Sequence, residues 1–154
     1  MAKYKKTIYI FIIVMSIISS CRTKEIIQHP SNIPINDLNN SLKLLAPPEW
    51  NSFKLNKSVD LEIVNESKRR ISFNKYFGKK IFVIQNNQFT EIENQIVVIG
   101  NQDSTILESD TSTGTVFRVI LDKNQKELIR VYVIGKFLDT SESVTAYLDV
   151  MLTP

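Results

Sequence analysis

Few side chains in this sequence are of the kinds that catalyse reactions. The single histidine, His29, stands beside Pro30 in a polar stretch, ahead of the first strand that the hydrophobic pattern indicates. A histidine-based nucleophilic triad needs a ring held beside the nucleophile, and a zinc site needs several histidine or cysteine ligands. Because no predicted element orients His29, and the only cysteine is Cys21, we expect neither kind of site.

A pair of carboxylates is the remaining route to hydrolysis. Glu91 and Glu93 fall on the same face of one predicted strand, about 7 Å apart at the backbone, and glycosidases need only two such groups. Alternating acids are also ordinary on a half-exposed strand, and no aromatic-rich cleft is indicated around them. We therefore expect a protein that is not an enzyme, has no catalytic residues and needs no cofactor.

Oxygen ligands for calcium are a further possibility. Asp103, Glu108 and Asp110 lie within residues 101–114, a loop-like segment rich in Asp, Ser and Thr, and calcium takes oxygen ligands of this kind. Their spacing matches no known calcium loop. Solvated turn residues are the favoured interpretation, so no metal site is predicted.

Aromatic residues in two loops are candidates for binding. Trp50 and Phe53 follow a Pro-Pro pair and are predicted to cover an open end of the hydrophobic core. A second group combines two aromatic residues with two lysines around a glycine turn, as binding anchors often do. This candidate partner-binding patch consists of Tyr76, Phe77, Lys79 and Lys80.

The formal charge of +3 arises entirely in the first residues, where Lys3, Lys5 and Lys6 stand without an acidic residue. The 19 basic residues of the whole chain therefore leave 16 in residues 21–154, against 16 acidic ones. A globally basic nucleic-acid-binding protein is not indicated. The segment 66–80 is nonetheless basic and the segment 91–110 acidic, which fits either solvated loops and strand faces or a polarised surface.

The first 21 residues have the zones of a secretory signal. The three lysines precede a largely apolar run over residues 8–18, and Ile18-Ser19-Ser20-Cys21 follows. This motif resembles the lipobox of bacterial lipoproteins, which implies cleavage before Cys21 and a diacylglyceryl thioether on its sulfur. Alternatives are an uncleaved anchor helix and a secreted protein in which Cys21 is incidental.

The resemblance implies an exported protein that is held to a membrane of the bacterial cell envelope by lipid on Cys21. In some Gram-negative bacteria, an aspartate directly after the lipidated cysteine resembles an inner-membrane retention signal. This chain has Arg22 at that position, so the outer membrane is favoured if the source is Gram-negative. The expected division is a cleaved signal peptide over residues 1–20, a lipidated polar tether over 21–40 and one domain over 41–154. As a flexible coil, the tether would hold its ends roughly 25 Å apart.

From residue 41 onward the dominant hydrophobic period is two, which is typical of strands with one buried face. Val59, Leu61 and Ile63 alternate with acidic residues, and Asn86-Asn87 suits a tight hairpin turn. In the last strand Val144, Ala146, Leu148, Val150 and Leu152 point one way and Thr145, Tyr147, Asp149 and Met151 the other. Short strands recur without helical spacing, so we predict an all-β fold: a single antiparallel β-sandwich of about seven to nine strands.

The strand rhythm over residues 59–152 resembles the immunoglobulin-like domains of bacterial envelope lipoproteins. The chain lacks the cysteine pair of antibody-type domains, and Trp50 precedes the first clear strand. The resemblance implies a lipid-anchored module that binds an envelope protein. The alternative is a protein that binds a glycan, wall polymer or small ligand, with protease inhibition as a variant of it.

Overall fold

The computed structural model describes residues 28–48, 52–92, 96–99, 104–121 and 124–154, with only the backbone described for 96–99. These residues form two β-sheets and a short 3₁₀-type turn over Lys75–Gly78. The strands are β1 (Leu42–Leu45), β2 (Phe53–Lys54), β3 (Ser58–Asn65), β4 (Ile71–Phe73), β5 (Lys80–Gln85), β6 (Gln88–Glu91), β7 (Ile96–Ile99), β8 (Thr105–Leu107), β9 (Thr111–Val119), β10 (Glu127–Phe137) and β11 (Ser143–Thr153).

The smaller sheet has the order β1-β3-β9-β7, and all of its neighbouring strands are antiparallel. Its centre is β3, where Val59, Leu61 and Ile63 are buried and the residues between them are not. The alternation arises because successive side chains of a strand point to opposite faces. One face of this sheet therefore packs inward.

The larger sheet is organised around the long hairpin of β10 and β11, in which Glu127 pairs with Leu152 at one end and Lys136 with Ser143 at the other. Both β4 and β5 pair with the second edge of β10, one after the other along its length. The turn over Lys75–Gly78 lies between them. Beyond these strands, β8 pairs with β4 and β6 pairs with β5.

The two sheets face each other across one hydrophobic core. Strand β9 of the smaller sheet contributes Phe117, which is fully buried, and β10 of the larger sheet contributes Val131 and Val133. Burial of such side chains is the main favourable term in folding, at about 25 cal/mol per Å² of apolar surface. The expected all-β sandwich is confirmed.

Several local predictions also agree with the structure. Asn86 and Asn87 have φ values of 50° and 61° and join β5 to β6. Phe53 is buried in the core. Two details differ: the described residues contain eleven strands, above the expected seven to nine, and β2 runs parallel to β11. Short strands such as β2 and β8 carry too few residues to show an alternating pattern.

Residues 28–40, expected as part of a flexible tether, instead pack against the larger sheet. Ile33 is buried there, and Leu38 forms a bridge with Thr145. The backbone N–H of Thr145 donates to the carbonyl of Asp37, and that of Asn39 donates to the carbonyl of Thr145. The polar composition of this stretch concealed its backbone hydrogen bonds, which do not depend on apolar side chains.

The predicted signal peptide, Cys21 and Trp50 lie outside the described residues, as do Glu93 and Asp103. The described residues contain no helix with the length and apolar character needed to cross a bilayer.

Candidate functional site

The outer face of the larger sheet carries an unusual concentration of charged and aromatic side chains. The alternation of β10 that buries Val131 and Val133 in the core turns Arg130 and Tyr132 outward. Two cross-strand rows result. One row contains Glu91, Phe82, Arg130 and Asp149, and the next contains Lys80, Tyr132 and Tyr147.

Arg130 and Asp149 form a bidentate ion pair across β10 and β11. The Arg130 Nε donates to Asp149 Oδ1 over 2.5 Å and its Nη2 donates to Oδ2 over 2.7 Å. Its Nη1 donates to the carbonyl of Gln28 over 2.8 Å. Burial by itself would lower the pKa of Arg130, but its hydrogen bonds to Asp149 and the negative charge of that carboxylate hold the pKa above its ordinary value.

Aromatic rings enclose this ion pair. The guanidinium carbon of Arg130 lies 4.6 Å from the Tyr147 ring centre and 5.3 Å from that of Phe89. A planar guanidinium over a ring is a favourable cation–π arrangement. The side chain of Arg130 is only 7% exposed, whereas that of Asp149 is 38% exposed, so the positive charge is the deeper member of the pair.

His29 lies directly on this cluster. Its Nδ1 is 2.8 Å from the Tyr132 hydroxyl, and its ring meets Tyr132 and Tyr147 edge-on with centroids 6.0 Å and 5.0 Å away. The ring is therefore fixed, although no orienting group was expected from its position in the sequence. Burial lowers the pKa of His29, Arg130 lowers it further, and Asp149 acts in the opposite direction.

We call residues 28–33 the strap, because they cross the outer face and make these contacts. Ile33 is 5% exposed and packs with Phe82 and Tyr132 in a small cluster separate from the main core. The N–H of Ile33 donates to the carbonyl of Pro30 over 3.1 Å, closing a turn within the strap. The strap is thus attached through a ring, a backbone carbonyl and an aliphatic side chain.

A groove separates the strap from the β5–β6 hairpin. Pro30, Asn32, Phe82, Phe89 and Glu91 contribute to its walls, and its volume is about 650 Å³. Asn32 Nδ2 donates to Glu91 Oε2 over 3.2 Å across it. The groove combines an aromatic surface with amide and carboxylate groups, which are the groups that bind polar small molecules.

The structure does not present the predicted partner-binding patch as one surface. Phe77 packs on the core, with its ring centre 5.5 Å from that of Phe73. Lys79 Nζ donates to Thr115 Oγ1 over 2.7 Å, and Lys80 pairs with Glu91 over 3.2 Å on the opposite face. Tyr76 remains partly exposed in the turn. A role for these four residues in binding a partner stays a prediction.

Lys79 is the most perturbed lysine in the described residues. Burial lowers its pKa from 10.5 to about 8. Its ammonium group lies 4.9 Å from the Phe117 ring centre, between the two sheets. Its neighbours Tyr76, Phe77 and Gly78 all have positive φ values, near 55° to 60°, a conformation that is unfavourable for residues other than glycine.

The basic and acidic segments of the sequence are joined in space. Lys68 pairs with Asp110 over 2.8 Å, and Lys80 pairs with Glu91. Arg69, from the same basic segment, pairs with Asp139 and Glu142. These contacts agree with the interpretation of solvated faces whose charges neutralise one another locally.

Two of the carboxylates considered for hydrolysis and calcium binding are engaged by other side chains. Glu91 is held by Lys80 and Asn32, and Asp110 is held by Lys68. Across the described residues, no group of three or more His, Cys, Asp or Glu side chains is placed to hold a metal ion.

Sequence analysis did not identify Arg130, Asp149 or His29 as one cluster. A usable signal was present: a charged residue stands at an outward position in each of two long apolar strands that follow one another in the chain. Adjacent strands joined by a short turn pair antiparallel. Opposite charges on their outer faces can then meet, but the register that brings them together depends on the turn.

No protein-family model matches this chain, and no curated protein matches it. Among solved structures, the chain is similar to the ASH/PapD-like domain of human CEP192, at 10% identity and a TM-score of 0.42, over 82% of this chain and 92% of that one. It is similar to the E. coli chaperone DraB at 16% identity and a TM-score of 0.49, over 74% of this chain and 55% of that one.

A third similar structure is the Vibrio cholerae VesB protease, at 13% identity and a TM-score of 0.49, over 75% of this chain and 32% of that one. The chain thus spans about half the length of the chaperone and about a third of that of the protease. At these identities the likeness is one of fold alone, and no activity is transferred from any of the three.

Proposed function

We propose that this chain is an exported lipoprotein, anchored through lipid on Cys21, whose β-sandwich is a non-catalytic module for interaction with another envelope protein. Support for the anchor comes from the order of lysines, apolar run, small residues and cysteine at the start of the sequence. Two or three acyl chains hold a protein to a bilayer far more firmly than one.

The observation that carries the non-catalytic role is the mutual engagement of the reactive side chains. His29 is hydrogen-bonded to Tyr132, and Arg130 forms an ion pair with Asp149. Glu91 forms an ion pair with Lys80 and accepts a hydrogen bond from Asn32. Each of these contacts joins two strands or holds the strap on the sheet, which is a structural role. Side chains fixed in this way favour a rigid surface for recognition.

Docking of the strap also favours display close to a membrane. Gln28 is fixed to β10 through Arg130, so only residues 22–27 separate the described domain from Cys21. Seven residue steps span at most roughly 25 Å even when fully extended. An anchored domain would therefore reach partners near the bilayer surface and not distant ones.

Lipid anchoring is tested by feeding cells an alkyne-labelled fatty acid and comparing the wild-type protein with Cys21→Ala. We expect label and membrane association in the wild type and loss of both in Cys21→Ala. Arg22→Lys is the matched control, since it changes the neighbouring residue without removing the thiol. Equal labelling of wild type and Cys21→Ala would overturn the anchor.

The interaction role is tested separately by in-cell cross-linking followed by pull-down in detergent. A defined envelope protein recovered with the wild type, and reduced with Cys21→Ala, is the expected result. Recovery of the same partner with both forms would retain the interaction module but remove its dependence on the membrane. If no protein is enriched with either form, the interaction role is wrong.

The groove beside the strap favours a second candidate, binding of a glycan, wall polymer or small polar ligand. Phe89 and Phe82 offer apolar surface there, and Asn32 and Glu91 offer hydrogen-bonding groups. Titration of the protein with envelope glycans would give saturable binding that Phe89→Ala weakens. Leu138→Ala, at an exposed residue outside the groove, is the control. Equal weakening by both substitutions would contradict this candidate.

A further inference from the structure

The strap is held at its start by a contact between a buried tyrosine and the only histidine of the sequence. Tyr132 is fully buried, and its hydroxyl lies 2.8 Å from His29 Nδ1. The positive charge of Arg130 acts on both groups. A hydroxyl beside a guanidinium turns its oxygen lone pairs toward that charge, which leaves its proton available to His29 Nδ1. We infer from this orientation that Nδ1 is the acceptor and that the His29 ring is neutral.

Protonation of His29 would disturb this arrangement in two ways. It would place an N–H at Nδ1, where the proton of the Tyr132 hydroxyl now points. It would also add a positive charge beside Arg130, which is already committed to Asp149 and to the Gln28 carbonyl. Among the groups that face His29, only the Asp149 carboxylate favours the charged ring, whereas Arg130 opposes it.

The other charged and titratable groups around the strap are a tyrosine on each of two strands and one ion pair. From β10 the strap meets Tyr132, whose pKa is raised by burial although Arg130 acts to lower it. From β11 it meets Tyr147, and at its far side Asn32 contacts Glu91, which is paired with Lys80. Histidine is the residue type in this contact whose ordinary pKa lies closest to neutral pH.

We propose that the strap is a pH-sensitive latch, which covers the outer face of β5, β10 and β11 at neutral pH and is released when His29 is protonated. The released strap would have a histidine of ordinary pKa, so the free form binds more protons than the docked form between the lowered pKa of the docked ring and about pH 6.5. Docking is therefore strongest above that pH and weakens as the pH falls through and below it.

Release would uncover a predominantly aromatic face. Phe82 is 3% exposed and Tyr132 is fully buried while the strap is docked, and Ile33 packs on both. The ion pair of Arg130 with Asp149 links two strands of the sheet and does not depend on the strap. The backbone pairing of β10 with β5 and β11 involves no titratable group, so the sheet itself is expected to stay intact at pH 5. The latch is independent of lipid on Cys21.

The test uses the full chain and compares pH 7.5 with pH 5.0. The ring-proton NMR signals of the single histidine report its titration directly, and we expect an apparent pKa below 6.5. Hydrogen exchange, corrected for the intrinsic effect of pH, reports the strap through the Ile33 amide. We expect several-fold faster exchange at pH 5.0 for residues 28–36 and little change for residues 131–137 of β10.

Two variants separate the latch from general acid instability. His29→Gln keeps a polar side chain that cannot be charged, and we expect its strap exchange to be the same at both pH values. Tyr132→Phe removes the bond to His29, so its strap should exchange several-fold faster already at pH 7.5. Tyr147→Phe is its control, because it keeps the ring contact with His29.

Three results would overturn the latch. One is a pH response of the strap that persists in His29→Gln, which would place the trigger on another group. Another is unchanged exchange of the wild-type strap at pH 5.0 while His29 titrates. The third is exchange that increases equally in the strap and in β10, which would indicate unfolding of the whole domain.

Discussion

Arg130 on β10 stands opposite Asp149 on β11 and donates two hydrogen bonds to its carboxylate on the outer face of the larger sheet. The same guanidinium reaches the backbone of Gln28 with its remaining nitrogen. One buried cation therefore joins the two longest strands to each other and to the strap. Loss of its counter-ion should affect both the sheet and the strap.

Asp149→Asn is expected to destabilise the domain. Removing one partner of a fully buried ion pair costs about 3–5 kcal/mol, because the other charge stays buried and unpaired. The Asp149 side chain is 38% exposed, so water compensates in part and we expect about 1–3 kcal/mol. Urea unfolding at pH 7.5 measures this loss.

Asp139→Asn is the matched control for that substitution. Asp139 pairs with Arg69 in an exposed setting, with a side chain that is 59% exposed. Exposed ion pairs contribute little to stability because water screens both charges. If both variants lose the same small amount of stability, the pair of Arg130 and Asp149 has no special structural role.

Two buried threonines are expected to respond in opposite ways to the same substitution. Thr145 Oγ1 has no hydrogen-bond partner among the described residues, although Thr145 is fully buried. Thr115 Oγ1 accepts from Lys79. Replacement of an unsatisfied hydroxyl by a methyl group of the same shape is neutral or favourable, whereas loss of an acceptor leaves a buried donor unpaired.

Thr145→Val should therefore leave the free energy of unfolding unchanged or raise it by up to about 1 kcal/mol. Thr115→Val should lower it by about 1–3 kcal/mol. Chemical denaturation of the two variants in parallel gives the comparison. A clear loss of stability in Thr145→Val would mean that its hydroxyl is hydrogen-bonded after all, for example to water.

Much of the sandwich could be predicted because strands with one buried face have a period of two. This held for β3, and for β11 except at Thr145, which is buried on the outer face where residues 37–39 pair with it. The docked strap could not be predicted from that signal, since a single buried residue, Ile33, and a few backbone hydrogen bonds hold it. These contacts are set by tertiary structure and have no period.

The candidate site was harder to predict than the fold for a related reason. The sequence places Tyr76, Phe77, Lys79 and Lys80 next to each other, but neighbouring residues of an extended chain point to opposite faces. Lys79 and Lys80 accordingly separate, one toward Thr115 and one toward Glu91. His29 and Tyr132, in contrast, are distant in sequence and adjacent in space.

Lys79 should make the stability of the domain depend on pH in the alkaline range. Its pKa is about 8 in the folded protein and 10.5 without burial. Between these values the unfolded chain binds more protons, so stability rises with pH by up to about 1.4 kcal/mol per unit. The whole effect is on the order of 3 kcal/mol.

Lys79→Met removes this dependence. Urea unfolding from pH 7 to pH 10 should show wild-type stability rising relative to the variant as the pH increases. Lys57→Met, at an exposed position, controls for the loss of one positive charge. Parallel stability curves for wild type and Lys79→Met would show that the ammonium group is hydrated and not buried.

Gly78 closes the turn that separates β4 from β5, and its substitution should be among the most damaging in the chain. Its φ is +57°, and a Cβ at this position would lie 2.3 Å from the carbonyl oxygen of Ile134. The left-handed conformation costs a non-glycine residue about 1–2 kcal/mol, and forcing β10 aside adds about 1–3 kcal/mol. Gly78→Ala should therefore lose about 2–5 kcal/mol.

Gly114→Ala is the control, because a Cβ there would meet no atom within 4 Å. Alanine reduces the freedom of the unfolded chain and does not strain a compatible backbone, so this variant should be neutral or slightly more stable. Thermal and urea unfolding of both variants measure the difference. Equal stabilities would contradict the close approach of Gly78 to β10, and with it the tight turn that lets two short strands share one edge of β10.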